Sequence, residues 1–327
     1  MSSNAALRAD SLPRRILVLD GSPAGENACG MAACLSHDGQ TLTLSAQRVE
    51  AGRQAAEGIA LIAADVLAQA GWRSSGLRHA DSQPDPVGGG AQPATTHGMT
   101  PSAPVRGNAV PEAGHVPQRV SAEVSTRTGD TRPAGEPDCV AVVVGPGSFT
   151  GLRASCAVAA GYALGAGARL VGVTRGEALA PALEAELARH NGSVRCRENV
   201  PATGAEGAEG AGRQVPAGGG LDGWLVVTAA RRGRVFVEDR SGVHAVAEGQ
   251  VPTVLQGRRW LVAGEARAAL PLPGSVFSPL EHPTAEQIAR AACKRLAGGL
   301  PARDALPLYV DPPEAKLPAD GLRATPV

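Results

Sequence analysis

The sequence predicts an α/β protein of two lobes, each built on a mixed sheet, and three observations carry that prediction. Apolar runs of strand length alternate with longer segments of helical spacing. An Asp-Gly pair, Asp38-Gly39, joins two early strand-like runs and marks an antiparallel hairpin beside later β-α-β units. The same order of elements then begins again, more weakly, after residue 221.

Taken in order, "RILVLD" (15–20) is an apolar run ending in Asp20, followed by the turn-forming Gly21-Ser22-Pro23. "ACGMAACL" and "TLTLSAQ" are the two strands of the hairpin, joined by "SHDGQ". In "GRQAAEGIALIAADVLAQAG", Ile59, Ile62, Val66 and Leu67 fall at helical spacing and Gly71 supplies the stop. A strand at 139–144, a glycine-rich loop, a helix over 151–166, a strand "RLVGV" (169–173) and a helix near 176–190 complete the first lobe. In the second, "WLVVT" and "RVFVED" flank the turn "AARRG", and "WLVAG" (260–264) is a short buried-type strand. Thr284 to Leu296 reads as a helix opened by a Thr284/Gln287 capping box.

Two segments stand outside this order. Residues 74–137 hold nine prolines and no Ile, Phe, Trp or Tyr, so they bury too little apolar surface to offset the entropy of ordering. Residues 192–221 have the same character. Both read as disordered insertions. The expected organisation is a flexible N-terminus over 1–14, a lobe over 15–190 interrupted at 74–137, the insertion 192–221, and a second lobe with an extended tail over 222–327.

Composition narrows the function. Thirty-one basic residues balance 31 acidic ones and aromatics are 2%, which leaves no whole-chain electrostatic footprint for nucleic acid and few platforms for stacking bases. The six cysteines at 29, 34, 139, 156, 196 and 293 form no C-x-x-C pair. Cys29 and Cys34 lie five apart in a strand, on opposite faces, so they read as thiols of a reducing compartment rather than metal ligands. No two histidines stand four apart for a metal. "MSSNAALRADSLPRR" lacks an apolar signal core, and the uncharged stretch Ala154–Ala168 is too short to span a bilayer. A cytoplasmic protein without membrane association is expected.

The chemistry-bearing motif is "GPGSFTGLR": Gly145, Pro146, Gly147, Ser148, Phe149, Thr150, Gly151, Leu152 and Arg153. Its glycines allow a sharp turn from strand to helix, Ser148 or Thr150 can cap that helix, and Pro146 removes a backbone donor from any anion site. A tight capped turn and an anion site at the helix start both stay open. The loop is no P-loop, having neither the glycine spacing nor the lysine. It is no nucleophile elbow either, because Pro146 and Thr150 stand where glycines are needed. A dinucleotide reading, with Thr174-Arg175 on a phosphorylated ribose, is closer but has its glycines one residue out of place. Downstream, Ala157, Gly161 and Gly165 form a small-residue stripe that Arg153 begins one turn earlier. Arg153 is there expected to reach a partner or solvent. Arg231, Arg232 and Arg234 read as a solvated basic turn, and Asp20 as a turn-capping carboxylate.

The succession of elements resembles the ribonuclease H-like lobes of the actin-like ATPase superfold. "VVVGPGSFTGLRASCAVAAGYALGAGARLVGVTRGEALA" resembles the signature region of the TsaB family, with thinner support at 15–72, at "AARRGRVFVE" and at "LPLYVDPPEAKLP". That resemblance implies a scaffold without catalytic residues, metal or cofactor of its own. It implies pairing with a TsaD-type catalytic subunit and a TsaE-type ATPase to place threonylcarbamoyl on the adenosine beside the tRNA anticodon. Further implications are contact with tRNA only through the complex, ATP or ADP at the interface of that complex, and a homodimer when the partners are absent. The helices matching 53–70 and 151–166 are implied to meet counterparts in the catalytic subunit, with Ala157 and Gly161 at the contact. Gly21 and Ala229 depart from the family pattern, and the catalytic paralogue's metal-binding histidines have no equivalent in 53–70. The competing reading is a nucleotide-binding enzyme, actin-like ATPase or NADP-binding, that uses the Gly145–Gly151 loop.

Overall fold

At the centre of the first sheet lies β1 (Arg15–Asp20), buried from Ile16 onward because strands flank it on both sides and helices cover both faces. The computed structural model describes residues 12–25, 28–52, 54–73, 135–198, 220–230 and 233–310. β1 pairs antiparallel with β2 (Cys29–His37), which pairs antiparallel with β3 (Leu42–Ala51). On its other side β1 pairs parallel with β4 (Cys139–Gly145), and β4 pairs parallel with β5 (Arg169–Thr174). The order is β3-β2-β1-β4-β5. β4 is buried at every residue, as expected of a parallel strand covered on both faces. The Asp38-Gly39 turn forms as its sequence dictates: the Asp38 carboxylate accepts from Gln40 N and Thr41 N, and Gly39 takes φ +107°.

One face of this sheet presents Leu17, Leu19, Val140 and Val142 to α1 (Ile59–Gln69) and α2 (Phe149–Ala166). α1 is shorter than its sequence predicts: residues 54–58 form turns, and the helix proper starts at Ile59. From β5 the chain enters α3 (Arg175–Glu198).

The second sheet comprises β6 (Gly223–Ala229), β7 (Arg234–Asp239), β8 (Gly242–Ala247), β9 (Trp260–Ala263) and β10 (Val276–Phe277), in the order β10-β9-β6-β7-β8. β6, β7 and β8 pair antiparallel, while β6, β9 and β10 pair parallel. The first sheet's topology is thus repeated strand for strand, and the actin-like, ribonuclease H-like fold class read from the sequence holds. The second lobe is the degenerate one. Where the first carries α1 and α2 between its parallel strands, the second has only 3-10 turns at Thr253–Leu255 and Arg267–Ala269.

The expected division at 190/222 does not describe the packing, because the lobes exchange helices. α3, from the first half, lays Leu179 and Leu183 on Trp224, Val226, Leu261 and Ala263 of the second sheet. In return α4 (Ala285–Leu296) packs Ile288, Ala289 and Ala292 against Ile16, Val18, Ala141 and Val143 of the first. Each helix covers the sheet face that the other lobe's own elements leave bare. The Thr284/Gln287 capping box forms as read. Boundaries shift as well. α3 runs on to Glu198, into the segment read as the second insertion. Arg14 and Glu136, assigned to the flexible terminus and first insertion, are held in the fold: Arg14 N donates to the Asp138 carboxylate, and Glu136 is buried. The disorder readings for 1–11, 74–134 and 199–219 lie outside the described residues.

Candidate functional site

The glycine loop sits where β4 ends, pressed against the loop that leaves β1. Gly145 takes φ +127°, a conformation glycine adopts without strain. The Gly145–Pro146 peptide is cis. A Cβ on Gly147 would stand 2.1 Å from the Ser22 carbonyl oxygen, and one on Gly151 2.0 Å from that of Gly21. A Cβ on Gly21 would in turn meet the Gly151 oxygen at 2.7 Å. Ser148 N donates to the Ser22 carbonyl at 2.8 Å, and Ser22 N donates to the Asp20 carboxylate at 2.8 Å. The glycines therefore serve a backbone-to-backbone contact between two loops. Gly21, a departure from the family pattern, is itself part of that contact. Ser148 is the N-cap, its Oγ accepting from Gly151 N at 3.3 Å. The helix starts at Phe149 rather than Gly151, so Thr150 lies exposed in the first turn and caps nothing.

α2 turns Leu152, Ser155, Cys156, Ala159 and Ala163 inward. Its outward face is Arg153, Ala157, Gly161, Leu164 and Gly165, with Leu164 86% exposed and Leu61 of α1 74% exposed. A Cβ on Gly161 would meet nothing within 4 Å. Arg153 is exposed, as expected, and is also engaged within the chain. Its guanidinium carbon lies 3.7 Å from the Phe149 ring centroid, and its Nε donates to the Tyr309 hydroxyl at 2.8 Å. Leu308 N donates to Val144 O, holding the "LPLYV" segment against the end of β4.

A second cluster, invisible in the sequence, lies at the end of β5. Arg175 is wholly buried and forms a two-pronged ion pair with Glu265, at 2.9 and 2.6 Å. The same guanidinium donates to Thr228 Oγ1 and to the Glu281 carbonyl, and it meets His282 Nδ1 at 2.7 Å. The guanidinium is buried and engaged inside the protein, so the alternative dinucleotide reading finds no exposed cation at Arg175. Burial presses the Glu265 carboxyl upward, but the Arg175 guanidinium beside it holds it below the usual range. Glu238, buried on β7, accepts from Gly176 N at 2.7 Å and from the Thr174 hydroxyl. Burial dominates there and raises Glu238 to about 7 against both hydrogen bonds. Burial and the neighbouring Arg175 both lower His282.

The remaining candidates are inert. Cys34 and Cys139 are pushed by burial to about 12 and Cys156 to about 11, so these thiols are packing groups. Cys34 faces the α1–α2 side of β2, on the opposite face from its neighbours Ala33 and Leu35. Among the described residues no group of His, Cys, Asp and Glu could hold a metal ion. No helix of the described residues is long and apolar enough to cross a membrane. Arg231 and Arg232 lie outside the described residues, and Arg234 opens β7.

Comparison with known proteins falls on this site. The family model described as TsaD, tRNA N6-adenosine threonylcarbamoyltransferase, matches residues 132–191. A crystal structure of an uncharacterized protein with similarity to peptidase YEAZ, from Pseudomonas aeruginosa, is 16% identical. It covers 91% of this chain and 99% of its own, with a TM-score of 0.47. The structure of YeaZ from Pseudomonas aeruginosa is also 16% identical, covering 90% of this chain and 99% of its own, with a TM-score of 0.46. No curated protein matches. The segment similar to the TsaD family, 132–191, carries β4, the glycine loop, α2, β5 and Arg175.

Proposed function

We propose that this chain is a TsaB-type, non-catalytic scaffold of a tRNA-modification complex, and that α2 is its contact with a TsaD-type catalytic subunit. The observation that carries the reading is the outward face of α2, exposed from Ala157 to Gly165 and small-sided there apart from Leu164, shortly after the signature loop. A helix with so few large residues buries little apolar area alone, and a partner helix packed at short distance supplies the missing contacts. Within the loop, Ser148 N donates to the Ser22 carbonyl and Gly151 N to Ser148 Oγ, while Gly147 and Gly151 pack tightly against the Ser22 and Gly21 carbonyls. That arrangement supports a structural loop over a phosphate cradle. In this reading ATP or ADP belongs to the interface of the assembled complex, with a TsaE-type ATPase as third member. Transfer RNA is met only through the complex, in the cytoplasm, and the free chain pairs with itself.

The test is purification of the tagged chain from its own cells, followed by nucleotide titration of the isolated protein. Recovery of a threonylcarbamoyl transferase with the tag, and no stoichiometric nucleotide binding by the chain alone, is expected. Tight binding of ATP or NADP by the isolated chain favours the enzyme reading instead.

A further inference from the structure

The chain crosses between the two sheets twice, once at Thr174–Gly176, where β5 gives way to α3, and once at 278–284, on the return from β10 to α4. In a two-lobed protein these crossings are where a hinge would lie, since few residues there absorb the rotation. Arg175 stands in the first crossing and bonds the second directly, through the Glu281 carbonyl and His282 Nδ1. Its remaining partners, Thr228 at the end of β6 and Glu265 after β9, belong to the second sheet. Glu238, also of the second sheet, closes the N-terminus of α3 at Gly176. A Cβ on Gly176 would stand 2.4 Å from the Glu238 carboxyl carbon, so a larger residue there would displace that side chain. Ser278, in the second crossing, donates to Glu186 of α3 at 2.7 Å.

We propose that Arg175 is a hinge lock: one buried guanidinium ties both crossings to the second sheet and makes the two lobes a single rigid unit. The proposal is independent of the partner assigned above. Its consequence is that this protein does not open and close its lobes around a ligand, because any rotation at Thr174–Gly176 would strip a buried charge of its partners. Glu265 supplies the neutralising charge, and Thr228, Glu281 and His282 supply direction.

The test is an inter-lobe distance measured in the full chain by double electron–electron resonance. Spin labels are placed at Gln47→Cys on β3 and His244→Cys on β8, both exposed, with Cys29, Cys196 and Cys293 replaced by serine. A single narrow distance distribution is expected, unchanged when ATP is added, and about twofold broader in Glu265→Gln. Should Glu265→Gln fail to fold, the pair Arg175→Met with Glu265→Met leaves no lone buried charge, and the same broadening is expected there. A native chain already spread over two distances, a shift on adding ATP, or variants as narrow as the native chain overturns the proposal.

Discussion

β4 and β5 run side by side, and each delivers the chain into the N-terminus of a helix, yet the two ends are finished in opposite ways. At the end of β4 the helix start is closed by backbone: glycines 147 and 151 against the Gly21–Ser22 carbonyls, with Ser148 as cap. At the end of β5 it is closed by charge, with Glu238 on Gly176 N and Arg175 on Glu265. Close backbone packing uses only the short Ser148 side chain, and the outward face of α2 stays exposed. At the second end, buried charge engages both terminal nitrogens of Arg175 and both carboxylate oxygens of Glu238 within the junction. The first end therefore reads as a surface-forming device and the second as a fastener.

Six substitutions sharpen that contrast. Arg175→Met should have the largest effect, because it strands Glu265 in the interior. A loss of about 3–5 kcal/mol in denaturant unfolding is expected, and a loss below about 1 kcal/mol would mean the junction is not a fastener.

Next in size is the pH dependence carried by Glu238. Its folded value, raised by burial to about 7, lies above the ordinary 4.5. The folded chain then holds the extra proton between those values. Stability from this group is full below about 4.5 and falls as pH rises through about 7, by on the order of 3 kcal/mol. Glu238→Gln should flatten the melting temperature between pH 5 and 7.5 (roughly the window set by that shift). The carboxyls of Glu177 and Glu265, both lowered, act below that window with the opposite sign.

At the other helix start, Gly151→Ala drives a methyl group into the Gly21 carbonyl and should cost about 1–3 kcal/mol by overpacking. Gly161→Ala, on the open face, should instead gain up to about 1 kcal/mol from helix propensity. Equal effects would erase the distinction between packed and free glycines. The smallest effect separates the two hydroxyls: Ser148→Ala should cost about 1 kcal/mol as a lost cap, and Thr150→Ala less than about 0.5 kcal/mol.

What the sequence made legible follows the same line. Apolar runs, the Asp38-Gly39 turn, the Thr284 box and the glycine loop are local, so spacing and residue type suffice to place them. The Arg175 cluster is assembled from positions 53, 90 and 107 residues away in the chain, and no short-range pattern marks it. The Arg153–Tyr309 bond is hidden for the same reason, since the two residues stand 156 apart. The helix exchange was hidden because α3 and α4 have apolar faces that fit either sheet. A two-residue strand such as β10 carries too little pattern to be seen at all.

The central claim is that the open face of α2 is a partner surface, and Gly161→Arg tests it most directly. Gly161 is exposed, and a Cβ there would meet nothing within 4 Å. The account predicts that the variant keeps its circular dichroism and most of its stability while the TsaD-type subunit no longer co-purifies with it. Co-purification at the native level by the folded variant would contradict the account and place the interface on another surface.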